Sequence, residues 1–293
     1  MAEPGIPDTV TVDPGGQPAI GAATAATTMP RRRGRTFGPA KLGLWGPPIG
    51  LLALLVAGAY GLHYALGERA FLLPEPHVVL ARLWDPSSAP DLWEGLWNTT
   101  VVAIAGLAIA IVIGVVWAIV MNLARWAERT LFPYAVVLQA IPILAIVPLI
   151  GFWFGYDFFA RTVVCVLIAL FPMVSNTLFG LQSVDRGHRE LFMLQGASRW
   201  IVLTKLELPA ATPAIFAGMR ISAGLSVVGA IVGDFFFQRG TPGIGALISK
   251  FGARLQSADL FASILLASLL GVAIFLIFGW LGRRAVGKWY DFG

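Results

Sequence analysis

The sequence predicts an all-α, polytopic membrane protein with about six transmembrane helices. Hydrophobic residues make up 57% of the 293 residues and charged residues only 13%, whereas a soluble domain typically contains about 25% charged residues. Six apolar stretches reach the roughly 20 residues that a helix needs to cross a bilayer. They cover residues 44–66, 98–121, 133–154, 161–182, 213–236 and 260–282.

The N-terminal region, 1–43, is predicted to be a disordered, basic cytoplasmic tail. It is rich in Gly, Pro, Ala and Thr and shows no periodic apolar face. It contains a cluster of cations at Arg31, Arg32, Arg33, Arg35 and Lys41. A twin-arginine export signal or a nucleic-acid patch is the alternative, but no convincing small-residue cleavage site follows. We interpret the cluster as the cytoplasmic anchor of the first span, which with its outer segment covers 44–91.

The distribution of positive charge predicts the orientation of the protein. The net charge is +5, and the cations lie beside the apolar stretches, which argues against nucleic acid as a partner. With the N-terminus inside, fourteen Lys and Arg residues fall in inner segments and five in outer ones. Because cytoplasmic loops are enriched in Lys and Arg, we predict that both termini and the segment 183–212 are cytoplasmic.

Several classes of chemistry have no sequence support. The single cysteine, Cys165, excludes an internal disulfide, and the three histidines lack metal-ligand spacing. The chain has no GxxxxGK[ST] motif for ATP phosphates, and its spans have no paired Asp, Ser–His pair or HExxH. We therefore expect no bound metal or cofactor and no enzymatic activity, which disfavours an intramembrane enzyme.

The segment 183–212 is the longest break in the apolar sequence, and it predicts two short helices with a turn. Gly196 lies where the chain must bend, and Ser198 is placed to cap the second helix. Pro209 is expected to end that helix near Leu208, and Thr212-Pro213 to begin a new one.

The spacing of Glu190, Gly196 and Leu208-Pro209 resembles the EAA loop of bacterial ABC-transporter permeases. That pattern is E-A-A, three residues, G, nine residues and I-x-L-P. This chain departs from it at Leu191 and Phe192, which replace Ala-Ala, and at Leu206, which replaces Ile. The wider run GASRW…LPAATPAIFAGMRI is similar to permeases for nitrate, sulfonate, taurine and pyrimidine-type substrates.

This resemblance implies an ABC type I importer permease (MetI-like) fold over 92–293, in the bacterial cytoplasmic membrane. The chain would be the permease subunit of an ATP-driven importer for a small solute, paired with a second copy of itself. Two cytoplasmic ATPase subunits would bind ATP-Mg, and an extracytoplasmic binding protein would deliver substrate. The residues expected to couple the chain to the ATPase are Glu190, Gly196, Ala197, Ser198, Leu206, Leu208 and Pro209.

Polar residues inside the spans are candidates for the translocation path, because burying them in lipid is costly. They are Gln139, Ser175, Asn176, Ser222 and Ser226, each of which could instead bond neighbouring helices. The third span, with Pro142 and Pro148, resembles the corresponding span of the same permeases; a kinked packing helix is the alternative. Glycines in the spans are expected to let helices approach closely: Gly106, Gly114, Gly218, Gly224 and Gly229.

Charged residues within the spans bear on the mechanism of transport. Arg220 is expected to reach the cytoplasmic surface and Asp234 to lie near the outer face. An ATP-independent secondary transporter or channel is the alternative function. It usually needs ionisable groups at mid-membrane, which this sequence does not suggest.

Overall fold

The computed structural model describes residues 41–238 and 240–287, and within these ranges the regular structure is entirely helical. The chain divides into Met1–Gly50 and Leu51–Gly293. All contacts discussed below lie in the second unit. The predicted tail, 1–43, falls almost entirely outside the described residues.

Eleven α-helices occur in the described ranges, and we number them in chain order. They are α1 Lys41–Ala65, α2 Pro76–Ala81, α3 Ala89–Leu123, α4 Arg125–Ala140, α5 Ile143–Phe154, α6 Phe158–Gln182, α7 Arg186–Leu194, α8 Arg199–Val202, α9 Leu208–Phe236, α10 Ile244–Ala253 and α11 Ser257–Val286.

Four helices in the described residues are long and apolar enough to cross a membrane, and they match four predicted spans. These are α3, α6, α11 and a continuous helix, Arg199–Phe236. The bent pair α4–α5 gives a fifth crossing if its two parts form one span. The apolar part of α1, Ile49–Ala65, is shorter than the roughly 20 residues that a span needs. A sixth span at 44–66 stays a prediction.

The third predicted span is not one straight or kinked helix. α4 ends at Ala140, α5 begins at Ile143, and their axes differ by 98°. Ile141 has φ −66° and ψ 126°, an extended conformation. The cause is Pro142, whose ring disfavours the helical conformation in the residue before it and which has no N–H to donate. Pro148 lies inside α5 without breaking it.

The predicted break between Leu208 and Pro213 is wrong. A single helix runs from Arg199 to Phe236, with Pro209 and Pro213 inside it. A π-helical turn, Leu203–Glu207, joins α8 to α9, and the N–H of Leu208 donates to the carbonyl of Leu203 five residues back. This wider turn shifts the hydrogen-bond register just before Pro209, so the missing proline donor does not end the helix.

The centre of the fold is the packing of α3, α6 and α9, with α11 against α9. Two glycines allow close contact with α6 at Cys165. A Cβ on Gly106 of α3 would lie 2.2 Å from the Cβ of Cys165, and a Cβ on Gly229 of α9 would lie 2.8 Å from its Cα. Gly224, also on α9, has no atom within 4 Å of the equivalent position. The expectation of close approach therefore holds for Gly106 and Gly229. It also holds for Gly114 and Gly218, where a Cβ would lie 2.7 Å from Cγ of Met173 and 2.9 Å from Cβ of Asn176, but it is not met at Gly224 within the described residues.

Gly229→Ala is expected to destabilise the protein, although alanine favours helix. The new methyl group would meet the backbone of α6, and overpacking of this kind costs about 1–3 kcal/mol. Thermal unfolding in detergent measures the effect. Gly224→Ala is the matched control on the same helix, where open space leaves only the propensity gain of about 1 kcal/mol. Equal melting temperatures for the two variants would contradict this packing.

Candidate coupling site and outer polar cluster

The connection between α6 and α9 folds into two short helices at one end of the bundle, which we call the inner end. The side chain of Asp185 caps α7 by accepting from the N–H of Gly187 at 2.7 Å. Ser198 caps α8 as predicted, and its Oγ accepts from the N–H of Ile201 at 3.4 Å. Each side chain satisfies a backbone donor that the first turn of a helix leaves free.

Gly196 ends α7 in the left-handed conformation, with φ +73°. Its N–H donates to the carbonyl of Met193, and the N–H of Ala197 donates to that of Phe192, both at 3.0 Å. This pair of bonds is the Schellman motif, in which glycine is preferred because it has no Cβ. The bend that the sequence predicts at Gly196 is therefore present, and its cause is local.

A buried carboxylate joins these short helices to the membrane helices. Glu207, only 8% exposed, accepts from Nδ2 of Asn122 at 2.5 Å and pairs with Nε of Arg189 at 3.0 Å. Arg189 also donates from Nη2 to the carbonyl of Leu181 at 2.7 Å. We call Asn122, Arg189 and Glu207 the inner polar cluster. It links α7, the π-helical turn, and the ends of α3 and α6.

A further bond fixes the start of α8. Nη1 of Arg199 donates to the carbonyl of Leu123 at 2.5 Å, which is at the last residue of α3. The second short helix, α8, is thus bonded directly to α3 and is continuous with α9, whereas the first, α7, is linked to α3 through Glu207. This arrangement holds the loop firmly against three membrane helices.

The residues predicted from the loop motif lie in two environments. Glu190, Gly196, Ser198 and Pro209 are exposed, whereas Ala197, Leu206 and Leu208 are partly buried. The buried carboxylate is Glu207, which sequence reasoning did not single out. Its partners lie 18 and 85 positions away in the chain, and no sequence spacing connects them.

An apolar surface covers the outside of the two short helices. We call it the apolar docking face; it comprises Leu191, Met193, Leu194, Trp200 and Ile201, with exposed fractions from 47% to 86%. Large apolar side chains exposed together commonly mark an interaction site. Leu191, a departure from the loop motif, is 52% exposed and adds to this surface.

A second polar cluster lies at the opposite, outer end of the same helices. Asp234 is fully buried, accepts from Oγ1 of Thr99 at 2.5 Å, and lies 3.3 Å from Nη1 of Arg161. Oγ1 of Thr99 in turn accepts from the N–H of Ile244 at 2.8 Å. We call Thr99, Arg161 and Asp234 the outer polar cluster. The sequence predicts that Asp234 lies near the outer face, but it does not predict that Asp234 pairs with Arg161.

Arg161 also fixes the connection that follows α9. Its guanidinium donates to the carbonyls of Thr241 at 2.8 Å and Phe237 at 3.2 Å. A Cβ on Gly243 would lie 1.9 Å from Oδ2 of Asp234, so the backbone passes directly against the buried carboxylate. The cluster therefore ties α3, α6, α9 and the start of α10 together.

The candidate path residues do not share one environment. Gln139 is exposed, and Asn176 is half-buried and donates to the carbonyl of Pro172 at 2.8 Å. Ser222 and Ser226 are fully buried. Ser222 donates to the carbonyl of Ala169 on α6 at 2.8 Å, and Ser226 to that of Ala223 on its own helix at 2.9 Å. Ser175 is half-buried, with its hydroxyl 3.4 Å from the carbonyl of Pro172.

Arg220 contacts α11. Its guanidinium carbon lies 4.0 Å from the ring centre of Phe275, a cation–π arrangement. A Cβ on Gly279 would lie 3.1 Å from its Nε, so the absence of a side chain there makes room for Arg220. Arg220 therefore packs helix against helix at this point.

The comparisons with known proteins agree with this geometry. Residues 110–287 match the family described as "Binding-protein-dependent transport system inner membrane component". The chain belongs to this family. It is 33% identical to the riboflavin transport system permease protein RibX of Chloroflexus aurantiacus, over 83% of this chain and 90% of that protein.

Other relatives are permeases as well. The chain is 33% identical to the formylaminopyrimidine transport permease protein ThiX of Halalkalibacterium halodurans, over 69% of this chain and 80% of that one. It is 32% identical to the putative aliphatic sulfonates transport permease protein SsuC of Escherichia coli, over 78% and 84%. A crystal structure of an amino acid ABC transporter with histidines has the same fold, with a TM-score of 0.54 at 17% identity, covering 67% of this chain and 94% of that one.

The protein is therefore a permease subunit of an ABC importer for a small solute, with the importer-permease fold expected from the loop motif. This family assignment favours an importer over the ATP-independent transporter or channel. Its ATPase is a separate partner subunit, and its substrate-binding protein is another.

Glu207→Ala is expected to loosen the segment 183–212, which we call the coupling loop, and to lower the melting temperature. Removing the carboxylate leaves Arg189 and Asn122 without their buried acceptor, which costs about 1–3 kcal/mol. Thermal unfolding in detergent checks this. Glu190→Ala is the control, because an exposed substitution typically changes stability by less than about 0.5 kcal/mol. A larger loss for Glu190→Ala than for Glu207→Ala would contradict the assignment.

Asp234→Ala is expected to destabilise the outer end strongly. Breaking a buried ion pair by removing one partner costs about 3–5 kcal/mol, because the remaining charge is left unpaired. The matched control is Asp91→Ala, whose carboxylate is 54% exposed and pairs with Lys250 at 3.2 Å. An exposed pair of that kind is worth about 1 kcal/mol or less. Similar melting temperatures for both variants would show that Asp234 is not structurally important.

Proposed function

We propose that two copies of this chain form the translocation path, and that one ATPase subunit docks on the inner end of each copy. The observation that carries the proposal is the apolar docking face, which is exposed although its two helices are bonded firmly to the membrane helices. A surface that is both apolar and rigidly held is suited to a permanent partner rather than to solvent.

The chemistry of the docking face fits a helix-in-groove contact. Leu194 is 86% exposed and Trp200 is 63% exposed, so both are free to enter an apolar groove. The exposed carboxylate of Glu190 lies beside them on α7 and can accept hydrogen bonds at the rim of the groove. We assign Gly196 the role of setting the angle between the two docked helices, because its left-handed backbone makes the turn.

Displacement of the docked helices would be transmitted directly to the membrane-spanning helices. ATP binding closes the ATPase pair and displaces α7 and α8. The inner polar cluster transmits this displacement to α3 and α6, and the continuous helix Arg199–Phe236 carries it to the outer end. The path then alternates between inward-open and outward-open states. In this proposal the chain itself does not hydrolyse ATP.

The path itself is proposed to involve Gln139 and Asn176. Gln139 is exposed on α4 just before the break at Ile141, and Asn176 is half-buried on α6. Ser222 and Ser226 are fully buried within the subunit, and Ser222 bonds α9 to α6. We therefore propose that these two serines contribute to helix packing, the alternative role that the sequence left open for them.

The substrate is proposed to be a small heterocyclic or anionic nutrient. The relatives named for riboflavin and formylaminopyrimidine transport are each 33% identical to this chain, and the one named for aliphatic sulfonates is 32% identical. Because these identities are nearly equal, they do not select one solute; they favour the class that the three solutes share, which is small and polar.

We place the protein in the bacterial cytoplasmic membrane with both termini cytoplasmic, as the Lys and Arg distribution predicts.

The test is purification of the tagged protein from native membranes in mild detergent, with and without prior cross-linking. We expect an ABC ATPase with the wild type, and a substrate-binding protein after cross-linking. Trp200→Asp is expected to reduce ATPase recovery about tenfold or more, because the loss of an aromatic anchor commonly costs over about 1.4 kcal/mol. Gly196→Val is also expected to reduce recovery, because a β-branched residue disfavours the left-handed backbone that sets the angle between the two docked helices.

Trp84→Asp is the matched control, since Trp84 is 72% exposed but lies before α3, at the outer end. It should retain the ATPase at the wild-type level. Recovery of no ATPase with the wild type, together with solute flux in the absence of ATP, would overturn the proposed function.

A further inference from the structure

The turn between α10 and α11 contains a leucine in an unfavourable backbone conformation. Leu255 has φ +56° and is the one non-glycine residue with positive φ in the part of the chain that the structure describes. Its N–H donates to the carbonyl of Gly252 at 3.2 Å, and that of Gln256 to the carbonyl of Phe251 at 3.0 Å. The same pattern of two hydrogen bonds ends α7, where the residue with positive φ is Gly196.

Packing within the subunit does not explain this leucine. Its side chain is 71% exposed, so little apolar burial offsets the left-handed backbone. Residues held in sparsely populated backbone conformations cluster at functional sites. Leu255 is therefore a candidate contact residue for a partner.

The surroundings of Leu255 are polar and carry one cation without an ion-pair partner. Its neighbours Arg254 and Gln256 line a cavity of about 340 Å³ with Lys250 and Asp259. Lys250 pairs with Asp91 at 3.2 Å, and Asp259 lies 3.5 Å from Nε of Arg82. Arg254 forms no ion pair with any residue in the described ranges. The surface thus offers an exposed leucine beside an available guanidinium.

This surface lies at the outer end of the bundle. The first residue of α10, Ile244, is bonded to Thr99 of the outer polar cluster, and α10 packs on α9 and α11. The inner polar cluster and the docking face are at the opposite end of the same helices. In the proposed orientation, Leu255 therefore faces the space in which a binding protein delivers solute.

We propose that Leu255 and Arg254 form a docking point for the substrate-binding protein. This inference rests on the proposed function. The complementary partner surface has an apolar cleft for Leu255 next to a carboxylate for Arg254. A protein surface is favoured over a lipid surface because Leu255 lies between two polar residues and beside the cavity, whose lining carries both positive and negative side chains. In this proposal, the left-handed turn projects Leu255 away from the subunit as the apolar anchor of the contact.

The experiment measures affinity and stability together. The probe is the substrate-binding protein recovered with the wild-type transporter after cross-linking, titrated against the transporter in lipid nanodiscs. Leu255→Gly is expected to weaken Kd about tenfold or more, as loss of an interface anchor commonly does. Its melting temperature is expected to equal or exceed that of the wild type, because glycine relieves the left-handed backbone.

Three further variants separate the contribution of the leucine from that of the arginine. Leu255→Met keeps an apolar side chain and is expected to retain wild-type affinity. Arg254→Glu is expected to weaken binding more at low salt than at high salt, because its effect is electrostatic. Arg254→Lys, which keeps the charge, should retain most of the affinity.

Several outcomes would overturn the inference. Wild-type affinity in both Leu255→Gly and Arg254→Glu would exclude the docking point, and a lowered melting temperature in Leu255→Gly would assign the leucine a structural role. Unchanged affinity with a blue-shifted fluorescence of Leu255→Trp in phosphatidylglycerol vesicles would assign the residue to the membrane surface. Failure of the proposed function is distinct, because the wild type would then recover no ATPase and no binding protein.

Discussion

The ion pair between Glu207 and Arg189 is the interaction on which the inner half of this structure depends. A buried carboxylate is stable only when it is paired and hydrogen-bonded, and here both requirements are met by residues from different elements. The pair fixes α7 against the π-helical turn, and Asn122 adds the end of α3. Without it, α7 would lose its link to the π-helical turn, and the part of the apolar docking face on α7 would be less firmly oriented.

The outer polar cluster repeats this arrangement at the other end of α9. Each cluster contains a carboxylate from the continuous helix or its π-helical turn, an arginine and a polar side chain of α3. Glu207 and Asp234 are 27 residues apart, about 40 Å along a helix. α9 and α3 are therefore joined at both ends, which favours movement of α3, α6 and α9 as one body.

The sequence was sufficient for features with local causes and insufficient for those set by tertiary contacts. Four of the six predicted spans, the bend at Gly196 and the Ser198 cap follow from composition and from one or two neighbouring residues. The sequence-based prediction fails at two prolines in opposite directions: Pro142 interrupts the predicted third span, and Pro209 lies inside a helix that is predicted to end there. The sequence carries no signal for the π-helical turn. The partners of Glu207 are brought to it only when α3 and α7 pack against that turn.

The claim that the coupling loop and α3 move together is tested most directly by distance measurements between spin labels. Cysteines at His188 on α7 and Val120 on α3, both exposed and both outside the apolar docking face, can be labelled selectively because the native Cys165 is fully buried. Within one subunit, the distance between the two labels should stay the same when ATP binds to the assembled transporter, while the distance between the His188 positions of the two subunits shortens. A change of several ångströms within the subunit would show that the loop moves independently of α3 and would contradict the account.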